Sequence, residues 1–264
     1  MRRTNSIVLG AACLLVGLVL WDALARFAAE PKLFPWPRYI VQESLPRFAS
    51  APQSASPAQG CWALAIECLR TTIRVVVSTA AGIFIGLAAG VLLFIPLRPL
   101  WAVELLFRTL RGIPLLCLIP LFVYWFGDSE IPSVYGYIAY AVALIIASDT
   151  YATACRLPEG LIGTAKLAGA ARINTLIRLV VPAVVHVLSG SLDTVVGLAW
   201  AFAVGAELIV LKHGLGHLLR ISYLHTDVGR LIILALTYAI LGWLSVRLVR
   251  ALMARLSVVG GLQS

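Results

Sequence analysis

LPEGLIGTAKLAGAARINTLIRLVVP, residues Leu157 to Pro182, is a basic polar island set between two long apolar segments. Arg156 just before it, then Lys166, Arg172 and Arg178, bring four cations to a short stretch, and lone charges are costly at mid-bilayer depth. The stretch therefore belongs outside the membrane, on the cytoplasmic side where Lys and Arg accumulate. Leu161, Ala165, Ala168 and Leu176 can share one face of a helix whose other face carries Lys166 and Arg172. Pro158 sits where a first helical turn accepts proline, Gly169 interrupts the run, and Pro182 marks the entrance to the next apolar helix.

Composition fixes what surrounds the island. Of 264 residues 61% are hydrophobic and 12% charged, at a mean hydropathy of +0.95, too apolar for a soluble fold to hide. The formal charge of +9 reports Lys and Arg flanking membrane segments and gives no ground for a nucleic-acid partner. The five cysteines show no metal-ligand spacing, and Cys61 and Cys68, seven residues apart, would lie ~10 Å apart along a helix, too far for a disulfide. No Gly-x4-Gly-Lys-Ser/Thr phosphate loop and no nucleophile–base constellation occurs, so no catalytic residue and no cofactor is assigned to this chain.

In chain order the apolar pattern predicts an all-α integral membrane protein of about six spans, one domain over 1–264, with spans at 7–27, 71–95, 112–127, 134–154, 182–211 and 231–249 and the loop at 156–181. The first span, closed by Trp21 and Arg26, is too long for a signal peptide; Asp22 near its outer end is solvated at the interface. From 28 to 70 the composition changes: KLFPWPRYIVQESLPRF predicts a short amphipathic helix from Pro37 to Phe48 on the outer face, and APQSASPAQG a surface turn. Gly82, Gly86 and Gly90 make a flat stripe on span two, used either inside the subunit or against a partner copy, and Arg74 near its outer end can snorkel. LRPLWAVELLFRTLRGIP, with Arg98, Arg108 and Arg111, is placed on the cytoplasmic side. With both termini inside, cytoplasmic segments hold twelve of the twenty-one Lys and Arg: Arg2, Arg3, Arg98, Arg108, Arg111, Arg156, Lys166, Arg172, Arg178, Arg247, Arg250 and Arg255.

Two features point to a path. Pro114 and Pro120 break the third span, and freed carbonyls in a membrane are tolerated where neighbouring helices or a wet cavity satisfy them. Span five, bent at Gly190, Gly197 or Gly205, carries Asp193, Trp200 and Glu207; intramembrane carboxylates are functional candidates by default. The plainer alternative pairs Asp193 with a neighbouring cation and Glu207 with Lys212 or Arg74, and packs His186 at an interface. His213, His217 and His225 cluster in an outer loop, where Gly214 and Gly216 argue against a rigid metal-chelating helix, so no metal ligand is assigned.

The spacing Ala165-x3-Gly169-x9-Leu179-x-Val181-Pro182 resembles the cytoplasmic signature loop of bacterial ABC importer permeases, Glu-Ala-Ala-x3-Gly-x9-aliphatic-x-aliphatic-Pro. Gly163 and Thr164 stand where that signature has Glu and Ala, and Glu159, one turn earlier, is the carboxylate at hand. Arg111-x-x-Pro114 with Pro120 and Trp125-Phe126-Gly127 is similar to the same family, as are Gly197 to Trp200, Ala206-Glu207-Leu208, Gly214-Leu215-Gly216 and Thr226-Asp227-Val228, which resemble nitrate-, sulfonate- and taurine-type permeases. The resemblance implies a type I permease whose loop residues Glu159, Leu161, Gly163, Thr164, Ala165, Gly169, Ala170 and Pro182 dock a separate ATPase subunit that binds ATP and Mg. It also implies a second permease copy, an extracytoplasmic solute-binding protein docking on 28–70 and 211–230, and a bacterial inner-membrane location. The rivals are a secondary transporter working without an ATPase and a membrane anchor or scaffold.

Overall fold

A chain that must satisfy its backbone hydrogen bonds away from water has helices as its simplest solution. The computed structural model describes residues 2–28, 33–49, 56–94, 101–127, 131–167, 169, 171–210 and 213–259, and every regular element among them is helical. Ala168, Ala170 and Lys212 lie outside the described residues, as do the side chains of Glu159, Leu161, Lys166 and Arg172.

Helix α1, Arg2–Ala28, covers the first expected span, and Asp22 accepts from Arg26 at 2.8 Å one turn later on its exposed face. Helix α2, Pro57–Phe94, starts well before the expected 71. The cause is a capping box inside the supposed turn: the Ser56 N–H donates to Gln59 Oε1 at 2.9 Å and the Gln59 N–H reaches back to Ser56 Oγ at 3.4 Å. Pro57 occupies the first helical position, where its missing N–H costs nothing. At 38 residues α2 is ~57 Å long, far beyond the ~30 Å of a hydrocarbon core, so its first turns project from the bilayer or the helix tilts. Cys61 and Cys68 both ride on it, and none of the five cysteines is in a disulfide.

The third expected span is the second arm of a broken pair. Helix α3, Trp101–Gly112, is an amphipathic helix where only a cytoplasmic segment had been expected; a 3-10 turn at Leu115–Leu118 and helix α4, Ile119–Phe126, follow at a bend of 80°. Pro114, extended at ψ 108°, ends the first arm, and Pro120 sits in the first turn of α4. Helix α5, Gly136–Cys155, is the most deeply buried of these elements, and helix α6, Glu159–Leu167, lies in the loop after it. A turn at Arg172–Thr175 runs through Leu176–Val180 into helix α7, Val181–Ser189, then helix α8, Leu192–Val210, helix α9, Leu215–Leu224, and helix α10, Val228–Val259. Span five is therefore α7 plus α8, broken at Gly190 and Ser191; Gly197 and Gly205 lie inside α8 and are not bends. A Cβ on Gly205 would come within 2.9 Å of Leu116 and 3.1 Å of Ile119, so that glycine admits the broken pair.

Among the described residues four helices are long and apolar enough to cross a membrane, and the bent pair makes a fifth.

The chain divides into two compact units, Met1–Leu69 with Leu218–Thr237, and Arg70–His217 with Tyr238–Ser264. In the first, the expected helix at Pro37 to Phe48 appears as three short helical turns, Pro37–Tyr39, Ile40–Ser44 and Pro46–Phe48, interrupted at Pro46, with Ile40 and Phe48 buried. They are latched to the start of α10: Arg47 pairs with Asp227 at 2.9 Å, and the Arg230 guanidinium lies 4.6 Å over the Phe48 ring. The second unit holds the main core, in which Tyr137 meets Phe122 and Phe202 edge-on at 5.7 and 6.2 Å.

The glycine stripe of α2 is used inside this second unit. A Cβ on Gly82, Gly86 or Gly90 would lie 2.7 Å from the carbonyl oxygen of Ala139, Ala143 or Ala147 in turn, so α2 and α5 cross with their backbones in contact. Gly86→Leu is expected to destabilise the subunit by about 3 kcal/mol or more, since the added carbons meet a backbone carbonyl that cannot move aside. Gly17→Leu on α1, where nothing lies within 4 Å, is expected to change little. The yield and melting temperature of the two purified variants check this.

Candidate coupling loop and intramembrane polar seam

The loop after α5 is built from the sequence features that singled it out. Pro158 immediately precedes α6; Gly163 and Ala165 are half-buried on it and Thr164 is exposed. Helix α6 ends at Leu167, and Gly169 follows with φ +75°, the left-handed conformation that side chains other than glycine resist. The chain then turns into Arg172–Thr175, where Thr175 is buried and donates its hydroxyl to the Ala171 carbonyl at 3.3 Å, and Leu176 and Val180 anchor it in the core. Pro182 is exposed at the head of α7. The loop also presents Leu167, Ile173 and Ile177 to the outside, 89, 65 and 60% exposed. They lie off the face expected to be apolar, and that mismatch between two apolar faces was the signal available in the sequence.

The three span-five candidates share one face of α8, seven residues apart, and each is engaged by α10. Asp193 accepts from Arg250, Trp200 donates its indole N–H to Ser245 Oγ at 3.1 Å, and Glu207 accepts from the Tyr238 hydroxyl at 3.4 Å. Trp200 also stands edge-on to the Tyr238 ring at 6.2 Å. Asp193 and Arg250 are partly exposed at one end; Glu207 at the other end is sealed. Pro114 and Pro120 lie elsewhere, in the bent pair.

Around Glu207 the structure makes the Arg74 pairing that the sequence offered as an alternative, and adds Thr71 and two backbone amides that the sequence did not connect. Its Oε1 accepts from Arg74 Nη1 at 2.9 Å, and its Oε2 accepts from the Thr71 hydroxyl and the Gly216 N–H, both at 2.9 Å. Thr71 in turn accepts from the Leu215 N–H at 3.0 Å, relaying the loop backbone to the carboxylate. Gly214, at φ +108°, turns those two amides inward. The side chains of Arg74 and Glu207 are 4% and 0% exposed. Arg74 therefore does not snorkel: the counter-charge that makes its burial tolerable is Glu207, more than a hundred positions away in the chain. Beside this pair a cavity of about 360 Å³ opens between Arg70, Arg74, Tyr135 and His213. Among the described residues no three His, Cys, Asp or Glu side chains are placed to hold a metal.

Membrane-length helices, one pair sharply broken, around a helical basic loop and an intramembrane ion pair define a class: a multi-pass membrane subunit of permease type. Residues 82–258 match the family described as binding-protein-dependent transport system inner membrane component, and the chain belongs to that family. It is a multi-pass protein of the inner membrane and a transport subunit rather than an enzyme. It is similar to a probable ABC transporter permease protein of Brucella melitensis, 31% identical over 65% of this chain and 73% of that one. It is also similar to the taurine transport system permease protein TauC of Escherichia coli, 28% identical over 85% of this chain and 80% of TauC. The nitrate import permease protein NrtB of Leptolyngbya laminosa is 26% identical over 67% of this chain and 61% of its own length. A solved structure of the MetNI methionine ABC transporter in inward-facing conformations superposes with a TM-score of 0.50 at 20% identity, covering 72% of this chain and 96% of that one. The fold is thus type I ABC importer permease-like.

Proposed function

We propose that this chain forms the translocation path of an ATP-driven importer for a small anion, of the sulfonate, taurine, nitrate or bicarbonate kind, with ATP and Mg bound by a partner ATPase. The observation that carries the proposal is the loop: three large apolar side chains, Leu167, Ile173 and Ile177, stand exposed in a cationic segment that cannot lie in the bilayer. A protein groove is the natural cover for them, and α6 with Glu159, Leu161, Gly163, Thr164, Ala165, Gly169, Ala170 and Pro182 is the element that enters it. The names of TauC and NrtB support the solute class.

On this reading the loop and both termini face the cytoplasm, and a second copy supplies a second loop for a symmetric pair of ATPases. Closure of the ATPases on ATP moves the loops, and the helix bundles rock between inward- and outward-open forms about the broken helices Pro114 and Pro120 mark and the seam of Asp193, Trp200 and Glu207. A solute-binding protein docks on the outer face made by 28–70 and 211–230, where the Arg47–Asp227 latch holds one part of the surface in shape. Tagged permease co-expressed with its ATPase is expected to retain it through purification, and liposomes holding the chain alone are expected to show no uptake. Full uptake by the chain alone would overturn the proposal.

A further inference from the structure

A cavity of about 440 Å³ lies where α3 meets the last turns of α5, at the root of the 156–181 loop and away from the seam on α8. Its wall is lined by Arg108, Arg111 and Arg156, with Glu104, Ser148 and Tyr151 among the other lining residues. Two of the three cations are matched: Arg108 to Glu104 at 3.2 Å, and Arg111 to Asp149 at 2.9 Å, with Ser148 accepting a further bond at 2.9 Å. Arg156 is exposed and has no carboxylate partner among the described residues. The site therefore holds one positive charge in excess, the complement of a single phosphodiester. Helix α3 supplies a second observation. Trp101, Leu105 and Leu106 stand exposed on α3, the helix that presents Arg108 and Arg111, which gives that helix apolar and cationic surfaces side by side. Such a helix lies along the membrane interface, with tryptophan at headgroup depth.

We propose that this pocket binds a phosphate group, and that the phosphate is the headgroup of an anionic phospholipid whose chains run over the apolar side of α3. Guanidinium groups converging between helices at an interface are the chemistry that takes such a headgroup, each contributing at the level of a few-fold in affinity. A soluble phosphate compound offers the same group but leaves Trp101, Leu105 and Leu106 uncovered.

The full chain purified in detergent tests this by native mass spectrometry and by melting-temperature shift, with phosphatidylglycerol, phosphatidylcholine and inorganic phosphate as probes. Phosphatidylglycerol is expected to bind and to raise the melting temperature where phosphatidylcholine does not. Arg156→Gln and Arg108→Gln are each expected to weaken phosphatidylglycerol about fivefold, and the pair together about 25-fold. Arg156→Lys, which keeps the charge, is expected to bind at near wild-type strength, which separates loss of the site from loss of the fold. Equal phosphatidylglycerol binding by the wild type and the double variant would overturn the proposal. Displacement of the lipid by millimolar inorganic phosphate would overturn the lipid as the source of the phosphate. Because the readout is lipid bound to the chain alone, its failure is separable from a failure of the importer reading.

Discussion

Glu207→Gln is expected to lower the stability of the subunit by about 3–5 kcal/mol, because it strips the counter-charge from a buried arginine while leaving that arginine in place. Arg74 is 4% exposed and its Nη1 points at Glu207 Oε1, so the neutral amide leaves a cation in a low-dielectric site. The same amide turns one oxygen into an N–H₂ that faces either the Arg74 guanidinium or the Gly216 N–H, neither of which can accept from it, and the Thr71 hydroxyl already accepts from the Leu215 N–H. Replacing both charges, Arg74→Met with Glu207→Met, is expected to recover most of the loss, as buried pairs exchanged for apolar residues often do. The purified subunit's melting curve reads stability, and uptake per assembled complex separates two roles for Glu207. If the carboxylate only ties α8 to the outer loop, the double variant transports as well as it folds. If it lines the path or gates it, uptake stays low after stability is restored. A single variant that melts at the wild-type temperature would show that the pair contributes nothing.

How much of this was legible depends on distance along the chain. The basic loop was legible because its signals are local: four cations, Gly169 and Pro182 within one stretch. The broken third span was equally local, since Pro114 and Pro120 dictate it wherever they sit. The early start of α2 was written in Ser56, Pro57 and Gln59 but was masked by a cluster of small residues that composition alone assigns to a turn. Helix α3 was readable from the spacing of Glu104, Phe107, Arg108 and Arg111 on one face. The pairing of Glu207 with Arg74 was offered as an alternative because both stand near an outer end, but its burial and the bonds from Thr71 and the Gly216 N–H carry no periodic signal, and only the meeting of α2, α8 and the turn after α8 makes them. The glycine stripe shows the same boundary: its spacing announces a close helix crossing but not with which helix, and the carbonyls of α5 settle that.

Gly169→Leu is expected to leave the subunit inserted and folded, and to weaken ATPase docking about tenfold or more while uncoupling hydrolysis from uptake. The fold tolerates the change because nothing lies within 4 Å of a Cβ at this position and the loop is outside the bilayer. The loss arises from the backbone: at φ +75° a Cβ crowds the following carbonyl oxygen, a strain of about 1–2 kcal/mol that would be relieved by moving the end of α6, and the leucine adds bulk to it. That end carries Leu167, exposed and two residues away, so the shift falls on the surface proposed to dock. Gly169→Ala brings the same Cβ strain without the bulk and is expected to lose less. Gly169→Asn, which tolerates the left-handed region, is expected to lose least. The four purified complexes are to be compared for bound ATPase, for hydrolysis stimulated by the loaded solute-binding protein, and for uptake into liposomes. An order of Gly, Asn, Ala, Leu assigns the effect to backbone conformation; Asn falling with Leu assigns it to the space a partner's surface needs. Wild-type values for Gly169→Leu in all three measurements would mean that this loop is not the coupling element, and the importer mechanism argued from it would fall with it.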